Sequence, residues 1–209
     1  MKIIKPSFEI IDKLDGSEIL KKIEQCGRIC YKSEGRIEDD SAEKFVAAIV
    51  KRDHESVIEH VSFTVKFIVD RGVSHEIVRH RLASYSQEST RYCNYSKDKF
   101  QNEITVIEPY FLVKDSLGWM EWVYATEAAE DAYFSMLNIG HSPEEARSVL
   151  PNSLKTEVMM TANLREWRHF LKLRTSPASH PQIREVAVPL LEELKRQIPV
   201  VFDDIGKDK

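Results

Sequence analysis

The sequence predicts a helix-rich α+β fold with few strands. Three observations carry this. Residues 61–69 alternate between apolar and polar side chains, the two-residue period of a half-buried strand. Several longer stretches repeat apolar residues every three or four positions and open on capping residues, as helices do. The 209 residues, 42% of them hydrophobic, contain no internal repeat, no low-complexity tract and no Gly/Ser/Pro-rich linker. Residues 1–209 therefore read as a single domain with its own core.

Taken in order, residues 2–5 (KIIK) read as a short strand. From Ser17 to Tyr31, Ile19, Leu20, Ile23, Cys26, Ile29 and Cys30 fall at helical spacing. Asp40 followed by Glu43 is a capping-box pattern, and the helix it opens reaches about Arg52. Ser56 and Glu59 repeat the pattern. Val61, Phe63, Val65, Phe67 and Val69 then form the strand, with Ile68 the one break in alternation. Ser74 reads as the cap of a short helix carrying Ile77, Val78 and Leu82. Residues 104–107 (ITVI) suggest another strand, closed by Pro109. A long helix spans Leu117 to Ile139 and stops at Gly140. Ser142-Pro143-Glu144-Glu145 combines a cap, a Pro at the first helical position and a Glu at the third, and Pro151 ends that helix. Residues 155–161 (KTEVMMT) fit either strand or helix. Asn163 with Glu166 opens a helix that runs through Trp167, Phe170 and Leu171 to Arg174. The last helix begins near Pro181 and bends at Pro189, and residues 205–209 read as a frayed tail.

Thirty Lys and Arg against 34 Asp and Glu leave a net charge of −4, which excludes a globally basic nucleic-acid binder. No apolar run reaches the length of a membrane span, and acidic residues interrupt the N-terminal stretch where a signal peptide needs an apolar segment. Cys26, Cys30 and Cys93 form no CxxC pair; a reduced, cytoplasmic compartment is the natural reading.

The densest polar segment runs from Arg79 to Tyr92 and holds three Arg, four Ser or Thr and two Tyr. Arg grips phosphate bidentately and keeps its charge, and hydroxyls add neutral donors. The plainer reading is a cationic helix end followed by a solvated loop. Arg147, Arg165, Arg168 and Arg174 follow downstream. Arg165 and Arg168 are neighbours on one helix surface, and such residues taken singly belong to a solvated face. His54-Glu55-Ser56-Val57-Ile58-Glu59-His60 invites a zinc reading, but a second His six residues on is turned about 240° away on a helix. His75 and His80, five apart, fail similarly, so no metal is expected. Cys93 reads as an inert thiol. Neither GxGxxG after a strand nor GxxxxGK[ST] occurs, so a Rossmann or P-loop nucleotide site is unsupported.

Arg79-His80-Arg81, followed by seven residues and then Ser89, with Ser84, Arg91 and Tyr92 in register, resembles the signature of the flavin-dependent thymidylate synthases. HESVIEH before an alternating strand, ARSVLP around Arg147, the Asn163-Leu164-Arg165 helix start and FLKLR ending at Arg174 resemble its flanks, so the likeness covers about residues 40–195. It implies a compact, mainly antiparallel sheet surrounded by helices, in a homotetramer with active sites between subunits. It implies synthesis of dTMP from dUMP, with methylenetetrahydrofolate as carbon donor, FAD as cofactor and NADPH as its reductant. By matched position Arg79, His80 and Arg81 would contact FAD, with Ser56 and Gln87 near it and Asn163, Leu164, Arg165 and His169 completing the site. The nucleotide would be held by Glu76, Ile77, Val78 and Arg79, by Gln87, Glu88, Ser89, Thr90 and Arg91, and by Arg147. Arg174 would lie at the uracil ring as the catalytic group. Two competing readings remain: a non-enzymatic binder of RNA or single-stranded DNA, resting on Arg interleaved with Tyr in residues 79–92, and a flavoenzyme of this fold with different chemistry.

Overall fold

The computed structural model describes residues 1–97 and 100–206. The strands are β1 (Lys2–Ile4), β2 (Ser7–Ile10), β3 (Ser62–Asp70), β4 (Ala83–Gln87), β5 (Thr105–Ile107) and β6 (Lys155–Asn163). β2, β3, β6 and β4 form one sheet in that order. Along its central pair, the Leu164 amide donates to Val61 O, the Thr64 and Thr161 hydroxyls meet at 2.9 Å, and the Arg71 amide donates to Leu154 O. Residue numbers fall on β6 as they rise on β3, so this pair is antiparallel. β1 and β5 form a separate parallel pair in register Lys2–Thr105, Ile3–Val106 and Ile4–Ile107. The expectation of helices with a mainly antiparallel sheet therefore holds for the larger sheet.

The chain divides into two compact units, each drawn from three stretches of sequence. The first takes residues 1–7, 67–79 and 86–158; the second takes 8–66, 80–85 and 159 onward. β3, β4 and β6 each run from one into the other.

In the second unit lie α1 (Gly16–Ile29), α2 (Ser41–Lys51), a 3₁₀ segment at Glu55–His60, α6 (Leu164–Arg174), α7 (Pro181–Gln197) and α8 (Pro199–Phe202). Trp167 on α6 stacks on Phe63 at 4.9 Å and donates its indole N–H to Phe63 O at 3.1 Å. A buried aromatic of this kind contributes about 2 kcal/mol through area alone. Gly27 lets α1 approach α2: a Cβ there would lie 2.7 Å from the Phe45 ring. α7 passes through Pro189. Ile205, expected in a frayed tail, is buried and its amide bonds Phe202 O; residues 207–209 lie outside the described residues.

The first unit holds α3 (Arg71–Ile77), α4 (Leu117–Asn138) and α5 (Pro143–Ala146), the last followed by a 3₁₀ turn at Arg147–Val149. Its core gathers Tyr95, Ile104, Val106, Tyr133, Ala146 and Leu154, and half-buried Cys93 packs against it. Gly140 past the end of α4 has φ +102°, the left-handed stop its position implies. Among the described residues no helix is long and apolar enough to cross a membrane.

Three local expectations are corrected. Asp70, not Ser74, caps α3, accepting the Val73 amide at 2.7 Å; a carboxylate is the stronger acceptor, and Ser74 instead donates to Arg71 O. Asp40 makes no side-chain cap, because its carboxylate pairs with Lys44. Ala83–Gln87, read as part of an irregular loop, is strand β4: its polar residues alternate between half-buried and exposed with no apolar contrast to reveal it. β2 was likewise unread.

Candidate active site

In the second unit the site grows from the start of α6. Asn163 accepts the Glu166 amide at 2.9 Å and holds the helix end, while the Leu164 amide bonds Val61 O. The Leu164 side chain is fully buried, so its offering to a ligand is backbone only. The capping box is half made, because the Glu166 side chain turns elsewhere. Glu166 is buried, and its Oε1 lies 3.1 Å from Nδ1 of buried His80, just before β4. Arg174, the last residue of α6, donates from Nε to His80 Nε2 at 3.1 Å. The Tyr85 hydroxyl donates to the His80 carbonyl at 2.7 Å, and Phe170 meets the His80 ring edge-on at 4.9 Å. Burial raises the Glu166 carboxyl against a lowering pull from His169. Burial first, and then the charge of Glu166, push the Tyr85 phenol up to about 12.

A cleft of about 580 Å³ opens beside this array, lined by Glu55, Glu59, Leu82, Asn163, Arg165, Glu166 and His169. Arg165 pairs with Glu59 at 2.6 Å, and Glu55 pairs with Arg168 at 2.8 Å. A second cleft of about 610 Å³ carries Ser56 with Arg28, Arg36, Arg52 and His54 on its walls. Ser56 does not serve as the helix cap its spacing suggested: the 3₁₀ segment has no side-chain cap bond. Arg81 is exposed. His80, Glu166 and His169 bring one ligand atom each within 4.8 Å of one another, a metal-like grouping, but both ring nitrogens of His80 already have partners in Glu166 and Arg174. His180, in the loop before α7, caps that helix, accepting the Gln182 amide at 3.3 Å.

The residues expected to hold the nucleotide, Arg174 apart, lie in the first unit. Past β4 the chain turns at Ser89, whose carbonyl accepts the Tyr92 and Cys93 amides and whose hydroxyl accepts the Arg91 amide at 3.3 Å. Arg147 reaches this turn, donating from Nη1 to Thr90 Oγ1 at 3.3 Å. Exposed Arg91 lies 3.3 Å from Glu144 at the start of α5. Gln87 is engaged internally, donating to Ser74 at 2.9 Å and Thr156 at 3.2 Å. Glu88 is held by Lys155 at 3.0 Å, a cation it shares with Glu157 at 2.6 Å, and accepts from the Tyr95 hydroxyl at 3.4 Å. Glu76 and Val78 lie at the end of α3 and Arg79 is exposed just beyond it, whereas the Ile77 side chain is core.

Sequence reading missed Glu55, Glu59 and Glu166 as site-wall residues, because each sat in a pattern already explained by capping or by a failed zinc spacing. It also misplaced Arg168. That residue is fully buried, donating to Glu55, to both oxygens of Asp204 and to the Val201 carbonyl, so it is a structural clamp and not a surface neighbour of Arg165.

A family model described as thymidylate synthase complementing protein matches residues 9–200. A flavin-dependent thymidylate synthase from Geobacter sulfurreducens is 35% identical over 186 residues, covering 86% of this chain and 78% of that one. One from Pyrococcus furiosus is 35% identical over 163 residues, 78% of this chain and 66% of its own length. One from Mycolicibacterium gilvum is 32% identical over 219 aligned residues, 95% and 84% of the two chains. Among solved structures, a UMP/dUMP methylase PolB from Streptomyces cacaoi, bound with 5-Br dUMP, superposes with a TM-score of 0.79 over 97% of this chain and 96% of that one. At 22% identity that likeness shows the fold alone. A family match over most of the length, with relatives above 30% identity, makes this chain an enzyme of the flavin-dependent thymidylate synthase family.

Proposed function

We propose that the protein makes dTMP from dUMP, with methylenetetrahydrofolate as carbon donor and NADPH-reduced FAD as hydride source. The observation that carries this is the turn after β4, where Arg147 closes on Thr90 beside Ser89 and Arg91. Two guanidinium groups and two hydroxyls at one turn suit a phosphate dianion, which needs several charge-assisted donors. Glu88, the one acid within that turn, is tied to Lys155, and the Arg91–Glu144 pair is exposed on both sides, so a phosphate can take the acid's place on Arg91.

The second unit fits a flavin. A cleft of about 580 Å³ lies in the size range of small-molecule sites, and Asn163, Arg165 and His169 line it. Of its three acids, Glu59 and Glu55 are paired with Arg165 and Arg168, and Glu166 is held against His80. Arg36 and Arg52 along the 610 Å³ cleft with Ser56 add positive charge for the same dinucleotide, while Arg28 there is paired with buried Glu24. Arg79, His80 and Arg81 join this set by matched position. Bound FAD supplies the redox chemistry, and the protein supplies orientation and electrostatics. Arg174 provides a fixed positive charge at the uracil ring, where such a donor is worth on the order of 3 kcal/mol at the transition state. Lys could not replace it, lacking the planar fork. None of this asks for a nucleophilic Cys, in keeping with Cys93 packed against a core.

The whole chain serves as one catalytic domain, works in the cytoplasm and assembles as a homotetramer with active sites between subunits. The test is direct: purified protein given dUMP, methylenetetrahydrofolate, FAD and NADPH should form dTMP, and flavin-loaded, folded protein that forms none would overturn the reading.

A further inference from the structure

We infer that Glu166 is a positioning residue, acting through His80 to fix the plane of the Arg174 guanidinium; this rests on the reading of Arg174 given above. The capping pattern accounts for Glu166 only as a helix-start residue, and its backbone amide does bond Asn163. Its side chain has a second task. Buried Glu166 places Oε1 3.1 Å from one edge of the His80 ring, at Nδ1. At the other edge, Arg174 Nε lies 3.1 Å from Nε2.

Proton arithmetic fixes the direction of this array. A guanidinium offers donors and no acceptor. His80 Nε2 must therefore carry a lone pair, the ring is neutral, and its one proton sits on Nδ1 and is donated to Glu166. The other tautomer would set an N–H against the Arg174 N–H. Which ring nitrogen holds the proton is set by the bonds both make, and here Glu166, accepting at Nδ1, and Arg174, donating at Nε2, select the same form, so loss of Glu166 weakens the selection. The ring has little room to escape by rotation. Phe170 packs edge-on at 4.9 Å, His169 lies at 5.5 Å, and Tyr85 holds the His80 carbonyl at 2.7 Å. Arg174 is the last residue of α6, and a rigid acceptor for its Nε constrains the orientation of its fork.

The experiment uses the cofactor-free protein, labelled with ¹⁵N, and long-range ¹H–¹⁵N correlations of its histidine rings. Wild-type His80 should show Nδ1 protonated and Nε2 bare. Glu166→Leu should shift the ring toward the Nε2–H form, while Glu166→Gln, whose amide oxygen still accepts, should keep the wild-type form. In dTMP synthesis Glu166→Leu should lose roughly a hundredfold in kcat, the scale of an ångström-sized misplacement, with a smaller change in KM. Glu166→Gln should restore most of that loss. A wild-type ring protonated on Nε2 would overturn the inference even if the Leu variant fails to fold. So would a Leu variant with unchanged tautomer and unchanged kcat. Wild-type protein that forms no dTMP would instead count against the proposed activity, with the ring measurement still deciding this inference.

Discussion

Arg165 and Arg168 stand three residues apart on α6 and have opposite fates. Arg165 is half exposed and pairs with Glu59; Arg168 is fully buried between Glu55 and Asp204. Removing Arg168 leaves largely buried Glu55 and half-exposed Asp204 without their shared cation, so Arg168→Met should cost about 3 kcal/mol, read from denaturant unfolding. Arg165→Met should cost under about 1 kcal/mol. The clamp also gives stability a pH dependence. Burial raises Glu55 and Asp204, but bonds and charge from Arg168, with charge from Lys172, outweigh it and hold both carboxyls below their ordinary values. Depressed carboxyls stabilise the fold fully above their unfolded values of 4.5 and 3.8 and lose that contribution as pH falls through the folded values. Acid unfolding should therefore steepen below about pH 4.5, and Arg168→Met should flatten that part of the curve. For the chemistry, Arg174→Ala should abolish dTMP synthesis while flavin stays bound; an active Arg174→Ala enzyme would remove Arg174 from its role. Legibility at this scale was uneven. The cluster from Arg79 to Arg91 announced itself because charge and hydroxyls were dense. Glu166 did not, because a buried carboxylate on a helix looks like any capping acid until its partner across the fold is known.

Among the elements, those with strong periodicity were read correctly. β3 alternates apolar and polar residues over nine positions and buries Phe63, Val65, Phe67 and Val69. α4 runs from Leu117 to Asn138 and stops at Gly140 as its sequence implies. β6 was ambiguous because Val158, Met159 and Met160 carry no alternation of their own; pairing with β3 resolves it. β4 was hidden because Ala83, Tyr85 and Gln87 take the inward positions that apolar residues would mark. A helix start also depends on which acceptor is best placed. Asp70→Ala should cost about 1 kcal/mol through loss of the α3 cap, measured by thermal or denaturant melts, although Ser74 sits in the more familiar capping context. An Asp70→Ala protein as stable as wild type would show that the cap bond contributes nothing.

For the molecule as a whole, each unit is drawn from three stretches of one chain, and the Glu166–His80–Arg174 array joins two of them, residues 80–85 and 159 onward. The proposed assembly predicts a solution mass roughly four times the 24.2 kDa chain by sedimentation equilibrium; a monomer with full activity would refute active sites shared between subunits. A net charge of −4 opposes a polyanion at long range, so binding to single strands should be negligible at physiological salt, as the proposed function expects. The central claim, that flavin and dUMP are gathered by these cationic groups into one reacting pair, is tested most directly by the visible absorption spectrum of flavin-loaded protein titrated with dUMP. The account predicts a bound flavin whose bands shift saturably as the nucleotide is added. A spectrum that stays unchanged while dUMP demonstrably binds, or a folded protein that retains no flavin, would contradict it.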